Sequence, residues 1–302
     1  MRALLIMGPT ASGKSALALA LAERLGGEIV NADSMQVYRD LRIITARPTP
    51  EEEARAPHHL YGDVDAAVRH SVGDWTRRAT GVIADIAARG RLPIVAGGTG
   101  LYFTALTEGL AEIPAPSADV RAAIAARRAA EGDGVLHPWL SEVDPGVAAR
   151  LSPRDAPRLS RALEVMLSTG VSIADWRAKT APALAPGTWR GVVLTPPREP
   201  LYATIDARFD AMMAAGALEE ARALLARDLD PMLPCMKAHG LPRLAAHLRG
   251  ETRLEEAVAL ASQDTRNYAK RQFTWIRNQL PDWPTIPDVS LEARIAQVLA
   301  SK

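Results

Sequence analysis

The sequence predicts an α/β fold: a parallel sheet covered by helices on both faces, with a helical insertion in the chain. Three observations lead there. Strand-like apolar runs alternate with helical periods over roughly the first hundred residues. The run GPTASGKS, Gly8–Ser15, follows the strand-like ALLIM directly. Beyond Glu112 a long stretch has helical periodicity and no strand. Such alternation favours parallel strands, with functional loops gathered at their carboxyl ends.

Taken in order, Ala3–Met7 reads as a short buried strand. Ser15–Leu25 is a helix with Leu17, Leu21 and Leu25 on one face, ended by Gly26-Gly27. Glu28–Asn31 form a second strand that runs into Ala32-Asp33-Ser34. Asp74–Arg89 is a helix with Val82 and Ile86 on its apolar face, and Leu92–Ala96 is a strand opening into GGTG, Gly97–Gly100. Around Glu112–Ser117 proline-punctuated helices take over, and Ala118 to about Arg177 stays helical. After the linker APALAPG, Arg190–Leu194 returns to the sheet, and a long helix spans about Leu254 to Leu280. The expected division is 1–115 and 187–302 for the core, with 116–186 as a helical insertion domain.

Composition narrows the class. The 36 Lys plus Arg nearly balance the 35 Asp plus Glu in 302 residues, for a formal charge of +1. A balanced total leaves a nucleic-acid partner open, because local clustering is what attracts phosphate. A single cysteine, Cys235, excludes an intrachain disulfide, and no Cys/His set has zinc-ligand spacing. The N-terminal RALLIM is too short for a signal peptide, and no apolar run approaches membrane-spanning length. The expectation is a cytoplasmic protein with no membrane partner.

GPTASGKS fits G-x-x-x-x-G-K-[ST], so the core is P-loop NTPase-like. Gly8 and Gly13 let the backbone of Pro9, Thr10, Ala11 and Ser12 curl so that successive N–H groups face anionic oxygens. Lys14 adds a mobile charge, the Ser15 hydroxyl is placed to hold Mg²⁺, and the following helix offers its positive dipole end. Asp33 ends the neighbouring strand. It reads as a turn residue, as a base for an incoming nucleophile, or as a partner of Mg²⁺. GGTG is another strand-end loop, with the Thr99 hydroxyl among glycines that permit close approach to a ligand.

Two helices carry cations. After the helix start Asp155-Ala-Pro157, Leu159, Leu163 and Met166 make an apolar stripe, and Arg158 and Arg161 share another face. In Thr265–Asn278, Ala269, Phe273, Ile276 and Leu280 form a core arc, with Arg266, Lys270 and Arg277 beside it. Tyr268, Arg271 and Trp275 lie roughly opposite. That helix reads equally as a core helix with a basic flank or as a surface where charge meets phosphate and rings stack on bases.

Together the pieces resemble the tRNA dimethylallyltransferase family, of bacterial type. The matching segments are GPTASGKS, NADSMQVYRDLRIITARP, PHHLYGDVD, PIVAGGTGLYFTAL, RLSRALEVMLSTG and NYAKRQFTWIRN, in order over most of the chain. The resemblance implies transfer of a dimethylallyl group from dimethylallyl diphosphate to N6 of the adenosine just 3′ of the anticodon. The acceptors are tRNAs reading codons that begin with U. It implies that Gly8–Ser15 hold the diphosphate with Mg²⁺ on Ser15, and that Lys14 neutralises the leaving group. Asp33 matches the general base, Thr99 the residue bonding the bridging oxygen, and Arg208, in IDARFDAMMAAG, an arginine assisting the diphosphate. tRNA contacts map onto Asp33, Ser34, Met35 and Gln36; onto Pro157, Arg158, Leu159, Ser160 and Arg161; and onto Lys237, Ala238, His239, Gly240, Leu241 and Pro242. Thr99, Arg121, Arg266, Lys270 and Arg271 complete the expected tRNA surface. The insertion would grip the anticodon stem-loop, and the protein would be a monomer. The chain departs from the family pattern at Leu241 and Pro242, where a Gly-Tyr pair is usual, and at Ile44, where glycine is common.

Other readings use the same residues differently. A P-loop nucleotide kinase would bind ATP and use Asp33 on a hydroxyl acceptor, and an adenylate isopentenyltransferase would need neither the insertion nor the YAKRQ helix. A non-catalytic P-loop RNA switch would not need Asp33 and Thr99 together.

Overall fold

In the computed structural model, residues 3–178, 180–287 and 290–300 are described. Strands form at β1 (Ala3–Met7), β2 (Gly27–Asn31), β3 (His58–His59), β4 (Leu92–Gly97), β5 (Trp189–Leu194) and β6 (Thr285–Ile286). They make one six-stranded sheet in the order β3-β2-β4-β1-β5-β6, and every pair is parallel. The expected return strand is β5, which lies against β1 with Ile6 opposite Val192. The two edge strands, β3 and β6, are only two residues long and carry no periodic signal.

The chain divides into two compact units: Met1–Thr107 with Ala183–Lys302, and Glu108–Pro182. The helices before the division are α1 (Lys14–Leu25), α2 (Pro50–Arg55), α3 (Val72–Ala88) and α4 (Gly100–Thr107). The second unit holds α5 (Ala118–Glu131), α6 (Leu136–Val143), α7 (Pro145–Ala148), α8 (Ala156–Thr169) and α9 (Ile173–Ala178). The first unit then resumes with α10 (Arg198–Ala214), α11 (Ala217–Leu225), α12 (Leu241–Leu248), α13 (Leu254–Gln279) and α14 (Leu291–Ala300).

β1 shows why the sheet strands read as continuous apolar runs. Leu4 and Ile6 pack with Leu17 and Leu21 of α1 and with Ile295 and Val298 of α14. Ala3, Leu5 and Met7 pack with Trp75, Ile83, Phe103 and Leu106 of α3 and α4. Both faces are buried, so no alternation is needed. Each fully buried Leu or Ile contributes about 1.5–3 kcal/mol.

Local signals set the helix ends. α3 starts at Val72 because Ser71 and Asp74 form a reciprocal capping box. α1 stops at Leu25 because Gly26 adopts the left-handed conformation, φ 64°. Leu25 therefore sits in the last turn, 39% exposed, and does not continue the buried Leu17–Leu21 face.

The second unit has its own core, built on Ile124, Leu136, Leu140, Leu159, Leu163 and Val165. Its two chain ends meet. The Thr180 hydroxyl lies 3.4 Å from the Glu108 carbonyl, and a Cβ at Gly109 would collide with the Ala181 backbone. This closure puts the boundaries at 107/108 and 182/183, outside the proline-rich Glu112–Ser117 stretch. Among the described residues no helix is long and apolar enough to cross a membrane.

Candidate active site

The carboxyl ends of β1, β2 and β4 lie side by side, with Met7 opposite Gly97 and Asn31 opposite Ala96. The loops leaving them are stitched by backbone: Gly8 N–H donates to the Gly97 carbonyl, and Thr99 N–H to that of Ala32. Parallel pairing alone thus brings GPTASGKS, Asp33 and GGTG to one edge.

The phosphate loop is wound as an anion nest. Ala11 and Gly13 have φ of 64° and 82°, so left-handed and right-handed residues alternate and turn backbone N–H groups inward. For Ala11 this conformation costs about 1–2 kcal/mol, strain of a kind that collects at binding sites. α1 begins at Lys14 with no side chain capping its first turn, which leaves its N–H groups for an anion. The Ser12 hydroxyl is buried and has no hydrogen-bond partner among the described residues. Lys14 donates to the Pro9 carbonyl at 3.2 Å. Burial pushes its ammonium down to about 8, with the Asp33 carboxylate opposing and Arg208 adding to the shift. The site is poised for negative charge.

Asp33 is held by its own turn. Its N–H donates to Asn31 Oδ1 at 2.8 Å and its Oδ1 accepts from Met35 N–H at 2.9 Å; Oδ2 has no hydrogen-bond partner among the described residues, and the residue lines the cavity described next. Across from it, Thr99 Oγ1 accepts from Ser34 N–H at 2.9 Å. The Asp33 and Thr99 loops are therefore one assembly.

A cavity of about 150 Å³ opens beside Thr10 of the phosphate loop and the turn Asp33–Met35. Thr10, Asp33, Arg208, Lys237, His239 and Tyr268 give it a polar side, and Met35, Ile44, Ile205, Phe209 and Met212 an apolar one. Arg208 reaches in from α10 and bonds Thr10 Oγ1. Burial lowers its pKa and Asp33 opposes the shift. His239 and Tyr268 pack with ring centroids 4.2 Å apart and planes tilted by 36°. Burial, then the nearby Arg271, lowers the pKa of His239, so its ring favours the neutral form. Burial and the Asp33 charge raise that of Tyr268, which keeps its hydroxyl proton.

The helix α13 faces this cavity in a way its sequence conceals. Its inward row includes Thr265, Tyr268 and Gln272, and Gln272 is only 4% exposed. Gln272 was absent from the expected site; the lone signal was a polar residue inside a predicted core arc. Tyr268 lines the cavity rather than an outer face, and Trp275 packs on the core against Gly100, where an added Cβ would strike its ring. Neither ring is free for surface stacking. Phe273 is half-buried under the Arg198 guanidinium, 5.7 Å from its ring centroid. Arg266 is engaged by Asp206 and Gln263, which leaves Lys270 and Arg271 as the exposed cations of that segment's expected set.

The remaining expected residues are distributed as follows. Ala238 and Leu241 are buried in the core, and Leu241-Pro242 begin α12 with Gly240 at φ 94° as its cap. Lys237 and Pro242 are exposed, while Gln36 turns its amide to the carbonyls of Thr45 and Ala46. In the second unit, Asp155 caps α8 and Pro157 sits in its first turn. Leu159 belongs to that unit's core, and Ser160 is half-buried. Arg158 is 74% exposed with a loose ion pair to Asp155, Arg161 pairs with Glu164 at 3.3 Å, and Arg121 is exposed.

By fold and loop, the chain falls in the P-loop class of α/β proteins. Comparison with known proteins narrows that class. The family described as IPP transferase matches residues 36–279, and that described as isopentenyl transferase matches residues 1–65. A tRNA dimethylallyltransferase of Nitrobacter hamburgensis is 57% identical over 298 residues, covering 98% of this chain and 94% of its own. That of Phenylobacterium zucineum is 58% identical, covering 99% and 96%. Among solved structures, a full-length tRNA isopentenylpyrophosphate transferase of Bacillus halodurans superposes with TM-score 0.71 at 35% identity, covering 98% and 94%. A eukaryotic dimethylallyltransferase acting on tRNA gives 0.82 at 28% identity, covering 96% of this chain and 75% of that one. The chain belongs to the IPP transferase family.

Proposed function

We propose that this protein transfers a dimethylallyl group from dimethylallyl diphosphate to N6 of the adenosine 3′ of the anticodon, in tRNAs reading codons that begin with U. The observation that carries this reading is the joining of a phosphate-binding loop to an Asp33–Thr99 assembly, with Thr10 and Asp33 lining a cavity that has one apolar side.

The chemistry follows from the residues. An exocyclic adenine amine is a weak nucleophile, so the allylic diphosphate must become a good leaving group. The loop N–H groups, Lys14 and Arg208 gather positive charge where the diphosphate leaves. The N6 nitrogen bonds to the allylic carbon as the carbon–oxygen bond breaks, and the electron pair departs with diphosphate. Asp33 accepts the proton that N6 loses. Thr99 donates its hydroxyl to the bridging oxygen, and the apolar wall of Ile205, Phe209 and Met212 receives the isoprenoid tail. N6 is out of reach in a stacked loop, so the base must be flipped toward the cavity. The neutral His239–Tyr268 pair offers aromatic faces for it.

A divalent ion fits the loop. Ser15 is exposed in the first turn of α1, and one hydroxyl together with substrate phosphate oxygens suits Mg²⁺, which keeps several waters. Among the described residues no cluster of three His, Cys, Asp or Glu side chains offers a competing site. Mg²⁺ on Ser15 would supply charge neutralisation to the departing diphosphate.

In the second unit Arg158, Arg161 and Arg121 supply cations for the anticodon stem-loop; in the first, Lys237, Lys270 and Arg271 are exposed cations for tRNA phosphate. Cytoplasmic location and a monomeric state accompany this reading. Incubating protein and Mg²⁺ with unmodified tRNA and labelled dimethylallyl diphosphate, with AMP as a parallel acceptor, tests it. Label is expected in tRNA and not in AMP. Phosphoryl transfer from ATP without label in tRNA would overturn it.

A further inference from the structure

We propose that Gln272 is a positioning residue for transfer: it sets the separation between the loop that holds diphosphate and the loop that carries Thr99. The inference rests on the function proposed above.

The side chain of Gln272 bridges two segments that are far from it in sequence. Its Oε1 accepts from the backbone N–H of Thr10 at 2.9 Å, and its Nε2 donates to the Gly98 carbonyl at 2.8 Å. One partner can only donate and the other can only accept, so the amide has a single satisfied orientation. The residue is 4% exposed, and such a buried amide keeps its bonds because no water replaces them.

Its neighbours are the chemistry-bearing groups. Thr10 also binds Arg208 through its hydroxyl. Gly98 precedes Thr99, and the Tyr268 hydroxyl, one helical turn before Gln272, lies beside both Thr99 and Gln272. The fit at Gly98 is tight enough that any Cβ there would strike Nε2 of Gln272. The phosphate loop and the Thr99 loop also touch through Gly8 and Gly97, but that contact sits at the base of both loops. Gln272 is the side-chain strut farther out, at Thr10. The same helix exposes Lys270 and Arg271, so a surface offered to RNA and a strut between catalytic loops share one rigid element.

The test uses the whole protein with Gln272→Met, which keeps the volume and removes both bonds. Two readouts separate positioning from stability. Steady-state transfer to tRNA should show kcat reduced on the order of 100-fold, the effect of a misplacement of about 1 Å, with tRNA Kd within twofold of the parent. Calorimetric binding of magnesium diphosphate should weaken roughly tenfold, which is about 1.4 kcal/mol. Gly98→Ala should reproduce the kcat loss by displacing the amide. In a cycle of Gln272→Ala, Gly98→Ala and their double variant the two single losses should not multiply, because the shortened side chain makes room for the methyl. A Gln272→Met protein with a lower Tm but parental kcat and diphosphate Kd would overturn the proposal. So would independent, multiplying effects of the two substitutions. If the parent transfers nothing to tRNA, the functional reading fails, and the diphosphate measurement still decides the role of Gln272 in the loop.

Discussion

The two ends of β2 carry nearly the same charges and do opposite things with them. At its amino end Glu28 is buried, 3% exposed at the side chain, and meets Arg89, Arg91 and His59. Arg89 Nη2 donates to its Oε2 at 2.8 Å, His59 Nε2 lies 2.8 Å from the same oxygen, and Arg91 lies 3.0 Å from the other. Beyond its carboxyl end Asp33 shares a cavity with Arg208, Lys237 and His239 and interacts electrostatically with Lys14, and none of the four bonds its carboxylate among the described residues. Each end sets a carboxylate among basic side chains and a histidine. The first set is closed: hydrogen bonding to Arg89 holds the Glu28 carboxyl down to about 2. The second is left open, and burial works against its cations, Lys14 and Arg208, so an incoming anion relieves the desolvation. A paired cluster stabilises a fold, whereas an unpaired one stores electrostatic work for a ligand.

Breaking the open end should have the largest effect. Asp33→Asn is expected to lower transfer on the order of 10³-fold with tRNA Kd and Tm near the parent values, read by single-turnover transfer and filter binding. Loss of tRNA binding of similar size would make Asp33 an RNA contact instead of a base. Breaking the closed end should reverse the pattern. Glu28→Gln removes the counter-charge of Arg91 and one of the two carboxylates on Arg89, with Asp85 remaining, and should cost about 3 kcal/mol in urea unfolding, with kcat of the folded protein unchanged. The sign of its pH dependence is fixed. Because the folded carboxyl lies below its ordinary value, the stabilisation is complete above pH 4.5 and is lost as pH falls toward about 2.

A smaller effect sharpens the contrast from the second unit. Replacing Arg158 and Arg161 together with alanine should weaken tRNA binding about tenfold and reduce the salt slope by roughly one or two phosphate contacts. An unchanged slope would count against phosphate contacts there. The smallest effect is pH-driven. Lys14 loses its proton as pH rises through about 8 in the free protein, and bound diphosphate favours the charged form. Diphosphate affinity should therefore be flat below that pH and decline above it, and Lys14→Arg should remove Lys14's share of the decline.

Much of this was legible in the sequence. β1, α1, β2 and the phosphate loop follow from a local apolar run, a glycine pattern and a lysine, and the loops' convergence follows from parallel pairing of β1, β4 and β2. What escaped was set by long-range packing. β3 and β6 exist because neighbouring strands offer edges, which no two-residue segment can announce. On α13 the helical period was right, but the arc facing the site is mixed, with Gln272 and Tyr268 turned inward and Phe273 only half-buried. Periodicity ranks residues by hydrophobicity, and a buried glutamine becomes sensible only once Thr10 and Gly98 are known to lie on either side of it.

The central claim is that the phosphate loop holds a diphosphate that leaves, so the bond broken joins oxygen to the allylic carbon. Dimethylallyl diphosphate carrying a heavy oxygen isotope at the bridging position tests it directly, by mass spectrometry of both products after transfer to tRNA. The heavy oxygen is predicted to appear entirely in the released diphosphate, with none in the modified adenosine. Heavy oxygen retained with the dimethylallyl group would place the cleavage at phosphorus and contradict the account.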